Sequence, residues 1–319
     1  MKRHLLLFAA VVLVALPLFA KNDALSLIPN DAVTVGVVKL ADLRNSPLAA
    51  TLFKQTDAVS SNGDAEKFLQ DAGLQPSKDI DVLVVSTSPK TNLGDEAEVL
   101  VAADGRFNVD RLAAALTKRG AVKKNGYFIL PKEAAEHGKQ GVVAFPDSHL
   151  ALIGSESAVA EALASRASGG TTFFAASGLG RDVSRIDSHA TAWAIVDVPR
   201  AQRLTNSPHV PAKNAQAEAL SSAIKNVSTV ALWATDSGDA LKLGAFGISH
   251  DADTLQLIED TLRGMLAAMR LAVQDKSPEM VNVLRKFDVS HTSDTVQIVG
   301  SVPAETLKSF VAKQHAATR

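Results

Sequence analysis

Ser222-Ala-Ile-Lys225 sets a serine and a lysine one helical turn apart, a spacing at which the amine can take the proton of an acyl-accepting hydroxyl. The rest of that chemistry is missing: no Lys-Thr-Gly follows, Ser293-Asp294-Thr295 lacks the third-position asparagine, and Lys225 falls at the edge of an expected strand. Gly178-Leu-Gly180 has no third glycine at nucleotide-loop spacing and follows a loop rather than a strand, so it reads as a flexible loop. His250, Asp251 and Asp253 are the densest potential metal ligands, but adjacent residues at a helix start diverge, and Asp251 is better used as a cap. Asp79 and Asp81 share one side of a strand entrance, whereas glycoside hydrolysis needs opposed carboxylates. Arg106 and Lys123-Lys124 could meet an anion; they read more simply as a charged strand end and a solvated turn before Asn125-Gly126. His149, His189 and His291 fall in or beside expected strands, where a solvated or hydrogen-bonded imidazole suffices. The sequence therefore assigns no catalytic residue, no cofactor-binding residue and no metal ligand.

The elements around these residues follow from periodicity and punctuation. Val33, Val35 and Val37, and later Trp193 and Ile195, alternate with smaller or polar residues as in a strand with one buried face. Ser46-Pro47 and Ser207-Pro208 can each open a helix. Asp64 to Asp71 adds further helical turns, stopped by Gly73 and Pro76. Strands over Asp81 to Ser88 and Ala97 to Ala103 must be antiparallel across Pro89 to Gly94, and Asp236-Ser-Gly-Asp239 makes a tighter version of that turn. Asn108 caps a helix with the stripe Val109, Leu112, Leu116 and a stop at Gly120; Asp251 caps one carrying Leu255, Ile258, Leu262, Met265, Met269 and Val273. Both stripes are expected to bury against a sheet. Hairpins over Gly141 to Ile153 and Phe287 to Val299 close each half, with Ser155 and Ser301 opening final helices.

Several of these elements recur. Ala32 to Leu40 returns as Ala190 to Val198, Lys78 to Val85 as Lys225 to Leu232, and Leu152-Ile-Gly-Ser155 as Ile298-Val-Gly-Ser301, offsets close to one domain length. The expected fold class is α+β, with two tandem related domains, each a mainly antiparallel sheet with helices packed on one face. The expected boundaries are a signal peptide over 1–20, a first domain over 21–167, a linker and lead-in over 168–184, and a second domain over 185–319. Ser168-Gly-Gly-Thr-Thr172 is flexible by composition, Leu179 to Ile186 is amphipathic, and Phe173 and Phe174 are expected at the domain interface. Lys2-Arg3-His4, the apolar run Leu5 to Leu16, Pro17 and Ala20 read as a secretory signal cleaved after about Ala20. As a helix, Leu5 to Ala20 would span only about 24 Å, short of the roughly 30 Å hydrocarbon layer. The chain has no cysteine, which excludes disulfides and thiolate chemistry, and 46% hydrophobic residues supply the cores instead. Without Lys2 and Arg3 the formal charge moves from −1 to −3, which gives no general attraction to nucleic acid.

Leu27-Ile-Pro-Asn-Asp-Ala32, Asn45-Ser-Pro47, Gly73 to Asp81, Gly105-Arg-Phe-Asn108, Leu152 to Ser155 and Ala192 to Asp197 resemble recurring signatures of a family of uncharacterised bacterial exported proteins. The resemblance implies the duplicated α+β architecture and export, and carries over no active-site residue. The leading expectation is a non-enzymatic periplasmic or secreted binding or scaffold module, without a stable membrane anchor after cleavage. Its protein or small-ligand partner would sit in the cleft between domains and touch both copies, so residues 21–168 alone would fold without binding it. The alternatives are a hydrolase or transferase whose active site is assembled from scattered loops, and assembly through open sheet edges.

Overall fold

Twelve strands form one antiparallel sheet in a computed structural model that describes residues 23–44, 46, 63–90, 93–131, 140–169, 171–205, 225–275 and 277–309. In the first half lie β1 (Thr34–Lys39), β2 (Ile80–Lys90), β3 (Leu93–Gly105), β4 (Val122–Lys124), β5 (Tyr127–Ile129), β6 (Val142–Ala144) and β7 (Leu150–Gly154). In the second lie β8 (Ala192–Asp197), β9 (Thr229–Asp236), β10 (Ala240–Ile248), β11 (Asp288–His291) and β12 (Thr295–Pro303). Across the sheet the order is β11-β12-β10-β9-β8-β1-β2-β3-β7-β6-β5-β4. Read outward from the β1/β8 seam, the first five strands on one side are β1, β2, β3, β7, β6, followed by β5 and β4, and the five on the other are β8, β9, β10, β12, β11; helical chain separates the third and fourth of each five.

The sheet is continuous where two separate sheets were expected. At the seam Gly36 faces Ala194, Val35 faces Ile195 and Val37 faces Trp193. The Lys39 N–H donates to the Thr191 carbonyl at one end, and the Asp197 N–H donates to the Val33 carbonyl at the other, both at 2.8 Å. The chain leading into β8 is also packed rather than loose. Phe173 is fully buried, and Leu179 and Ile186 join it in the largest core cluster. Gly178-Leu-Gly180 opens the helix Gly178–Asp182, where the Ser177 hydroxyl accepts from the Gly180 N–H at 2.7 Å, so the flexible-loop reading is wrong.

Helices cover both faces rather than one. Successive strand residues point to opposite faces, and along β3 Leu100 and Ala102 belong to the main core while Ala103 belongs to a separate cluster. The main core spans both halves, from Val35, Val84 and Leu152 to Trp193, Ile195 and Phe246, beneath Leu27 and Ile28 and the helices Glu156–Ser168, Phe173–Ala176 and Gly178–Asp182. On the opposite face Gly63–Ala72 and Val109–Lys118 cover part of the first half, and Ala252–Val273 and Pro278–Leu284 part of the second. Between those covers Val85, Val99 and Leu232 are exposed.

Punctuation in the chain acted as the residue types dictate. Asn108 and Ser155 accept from the N–H groups of Arg111 and Ala158, at 3.0 and 3.2 Å. Asp251 accepts from Asp253, and Gly73, Gly120 and Gly238 take positive φ at their stops and turn. Two limits differ. Ser301 does not open a helix, because β12 runs on to Pro303 before a helix over 304–309. Lys123-Lys124 is a strand rather than a turn; the turn is Asn125-Gly126, both at positive φ, the two-residue hairpin such a dipeptide favours. The helices expected after Pro47 and Pro208, and the leader over 1–20, lie outside the described residues.

Candidate functional site

Leu112 and Leu116 stand one turn apart on the helix Val109–Lys118, and Arg119 continues the same i, i+4, i+7 stripe at its C-cap. Both leucines are buried, as their periodicity requires, in clusters that include the sheet residues Ala103, Ala151 and Val143, and they also roof a cavity of about 760 Å³. Its floor comes from side chains on one sheet face: Leu83, Val101, Ala103, Val143, Ala151 and Ile153. Phe68 of the helix Gly63–Ala72, with Phe107, Leu130, Pro131 and Phe145, lines the sides, and the cavity is open to solvent. Small Ala103 and Ala151 face one another across β3 and β7, which keeps the floor low beneath the helices.

Among its described lining residues Arg119 alone is polar. Its guanidinium lies 5.3 Å from the Phe68 ring centroid, a favourable cation–π separation. Neighbouring cations are occupied: Lys118 pairs with Asp71 at 3.3 Å, and Arg111 donates to the carbonyls of Asp71 and Gln70 at 3.1 and 3.3 Å. Among the described residues Arg119 has no ion pair. The sequence offered one signal for this site, a charged residue closing an apolar stripe, and the stripe itself was taken as plain core.

The residues weighed for chemistry are dispersed over the fold. Asp79 accepts from the Gln75 N–H at 2.7 Å, and Asp81 accepts from Arg44 at 2.6 Å with Arg106 at 3.8 Å. Arg106 also donates to the Lys78 carbonyl. His149 bonds the Gly105 carbonyl at 3.2 Å, His189 lies 3.3 Å from Asp187, and His250 is exposed. His291 pairs with buried Glu259, which also holds Arg263 at 2.6 Å, so this cluster fastens the helix Ala252–Val273 to the edge strand β11. Ser222 lies outside the described residues and Lys225 is an exposed turn residue. Among the described residues no three histidine or acidic side chains gather as a metal-binding set, and no helix is long and apolar enough to cross a membrane.

Perturbed carboxyls lie away from the cavity. Burial pushes Asp104 up to about 6, although the Ala24 N–H it accepts at 3.0 Å works against that, and Asp23, Asp81 and Asp147 add repulsion. For Asp147 burial also works upward, but the His149 N–H and Arg166, at 2.6 Å, outweigh it and hold the carboxyl below its ordinary value. Arg185, 2.9 Å away, holds Asp294 down to about 2 and ties the lead-in to the β11–β12 turn.

No family model and no curated protein matches the chain. Among solved structures, crystal form III of TP0453 is similar at 12% identity and a TM-score of 0.48, over 92% of this chain and 99% of that one. Crystal form I of TP0453 gives 12% identity and a TM-score of 0.46, over 91% and 96%.

Proposed function

We propose that this chain is an exported, non-enzymatic binding module whose ligand is an apolar molecule held in the first-half cavity. The observation that carries the reading is the lining. Its described residues offer aliphatic and aromatic surface within the size range of small-molecule sites, with no carboxylate, imidazole or hydroxyl to act as base or nucleophile. A hydrolase reading would need perturbed groups to converge there, and the raised carboxyl, Asp104, is instead the acceptor that anchors Ala24. The ligand sits within one half rather than between two, since the described lining residues run from Phe68 to Ile153. Export rests on the leader-like first twenty residues. Duplication of one ancestral unit is supported by the matching order of the five strands nearest the seam on either side, and by the exchange of equivalent partners across Gly36 and Ala194.

A homologous series of straight-chain alcohols tests the reading by calorimetry on the mature chain. Binding should be saturable at one site and tighten about fourfold per methylene, the equivalent of ~0.8 kcal/mol, until the cavity is full. Ala103→Leu, which adds volume on the floor, should leave the protein folded and weaken the longer alcohols most. Absence of saturable binding, or indifference to Ala103→Leu, would refute a ligand in this cavity.

A further inference from the structure

We infer that the ligand is a single-chain amphiphile with an anionic head, its chain in the cavity and its carboxylate or phosphate on Arg119; this rests on the apolar-ligand reading above. Sixteen of the seventeen described lining residues cannot hydrogen-bond through their side chains, so the cavity discriminates polar heads at Arg119. A guanidinium presents two parallel N–H groups that match the planar oxygens of a carboxylate or phosphate, and such charge-assisted bonds are stronger than neutral ones. That of Arg119 lies over the Phe68 ring, 5.3 Å from the centroid, and among the described residues no acid pairs with it, so the ring positions the charge without neutralising it. Lys118 and Arg111, which could otherwise compete for an anion, are committed to Asp71 and to the end of the helix Gly63–Ala72. Partial burial of Arg119 lowers the local dielectric and strengthens its attraction for a head group docked at the cavity wall.

A purely structural role has a physical rationale as well, because a cation at a helix C-terminus is favoured by the dipole. The two roles separate experimentally. Dodecanoate, dodecyl phosphate, dodecanol and dodecyltrimethylammonium are titrated into the mature full-length protein and its Arg119→Gln and Arg119→Lys variants, each checked for thermal stability without ligand. The inference expects both anions to bind at least about tenfold more tightly than the alcohol, a preference erased in Arg119→Gln, largely kept in Arg119→Lys, and not accompanied by loss of dodecanol binding. The anion that binds more tightly identifies the head group, and either one supports the inference. Equal affinity for anion and alcohol, tighter binding of the ammonium, or a preference that survives Arg119→Gln would overturn the head-group assignment while leaving the cavity reading standing. If none of the four amphiphiles binds the parent protein, both fall together.

Discussion

Asp104 shows how one side chain couples the fold to pH. Its carboxylate receives the backbone N–H of Ala24 and thereby ties the first described helix turn to β3, yet burial and three neighbouring aspartates disfavour its charge. The folded value, about 6, lies above the 3.8 of an ordinary aspartate. Its contribution to stability is therefore complete below the lower value and is lost as pH rises through the higher one. Asp104→Asn keeps an acceptor for Ala24 and removes the charge. The variant should show a flatter stability-against-pH profile than the parent between about pH 4 and 6 in urea titrations, and at neutral pH should be at least as stable. Comparison with the parent cancels Asp147, whose depressed value makes stability fall with acidity instead. An unchanged slope in Asp104→Asn would remove Asp104 from the pH response. None of this was legible in the sequence, where Asp104 is one acid at a strand end; its shift arises first from burial by the folded chain and then from Asp23, Asp81 and Asp147 converging from distant positions.

Elements show why local signals succeeded where they did. Caps and stops are decided by a few adjacent residues, so Asn108, Ser155, Asp251 and Gly120 could be read directly. The Gly178–Asp182 helix was misread because Gly-Leu-Gly suggests mobility, whereas the second glycine answers a contact from elsewhere. A Cβ at Gly180 would come within 2.2 Å of the Phe173 carbonyl oxygen, a backbone atom that cannot swing aside. Gly180→Ala should therefore cost about 1–3 kcal/mol through forced displacement of the two short helices. Gly178→Ala, whose nearest distant atom would be the flexible Arg181 end at 3.9 Å, should cost much less. Equal thermal stabilities for the two variants would contradict this packing account. Sheet edges follow the same logic of contacts rather than composition. The outermost strands β4 and β11 have three and four residues and carry Lys123, Lys124, Asp288 and His291. Short charged edges resist edge-to-edge pairing, which makes assembly by strand addition the weaker of the readings that the open sheet invites.

At the scale of the molecule, recurring segments in the sequence led to an expectation of two separate sheets and said nothing of how the strands at their edges would join. Alternation in β1 and β8 says which face is buried; it carries no information about what occupies the free edge of each strand. Here each strand occupies the other's, and Val35, Val37, Trp193 and Ile195 enter one core with Phe173, Leu179 and Ile186 from the chain between the halves. This arrangement changes the expectation for residues 21–168. Such a fragment would lose Phe173, Leu179, Ile186, Trp193 and Ile195 from its core, and would bare the Val33 carbonyl and the Lys39 N–H on a long, apolar edge. It should aggregate or pair with itself through β1 instead of forming a soluble monomer, which light scattering would decide. For the intact chain, the shared core makes opening of either half expose apolar surface on the other, so the two should unfold as one cooperative unit. Scanning calorimetry should then give a single endotherm whose calorimetric and van't Hoff enthalpies agree. Two resolved endotherms, one retained by a monomeric 21–168 fragment, would mean that the seam holds two autonomous domains side by side and that the common core contributes little to their coupling.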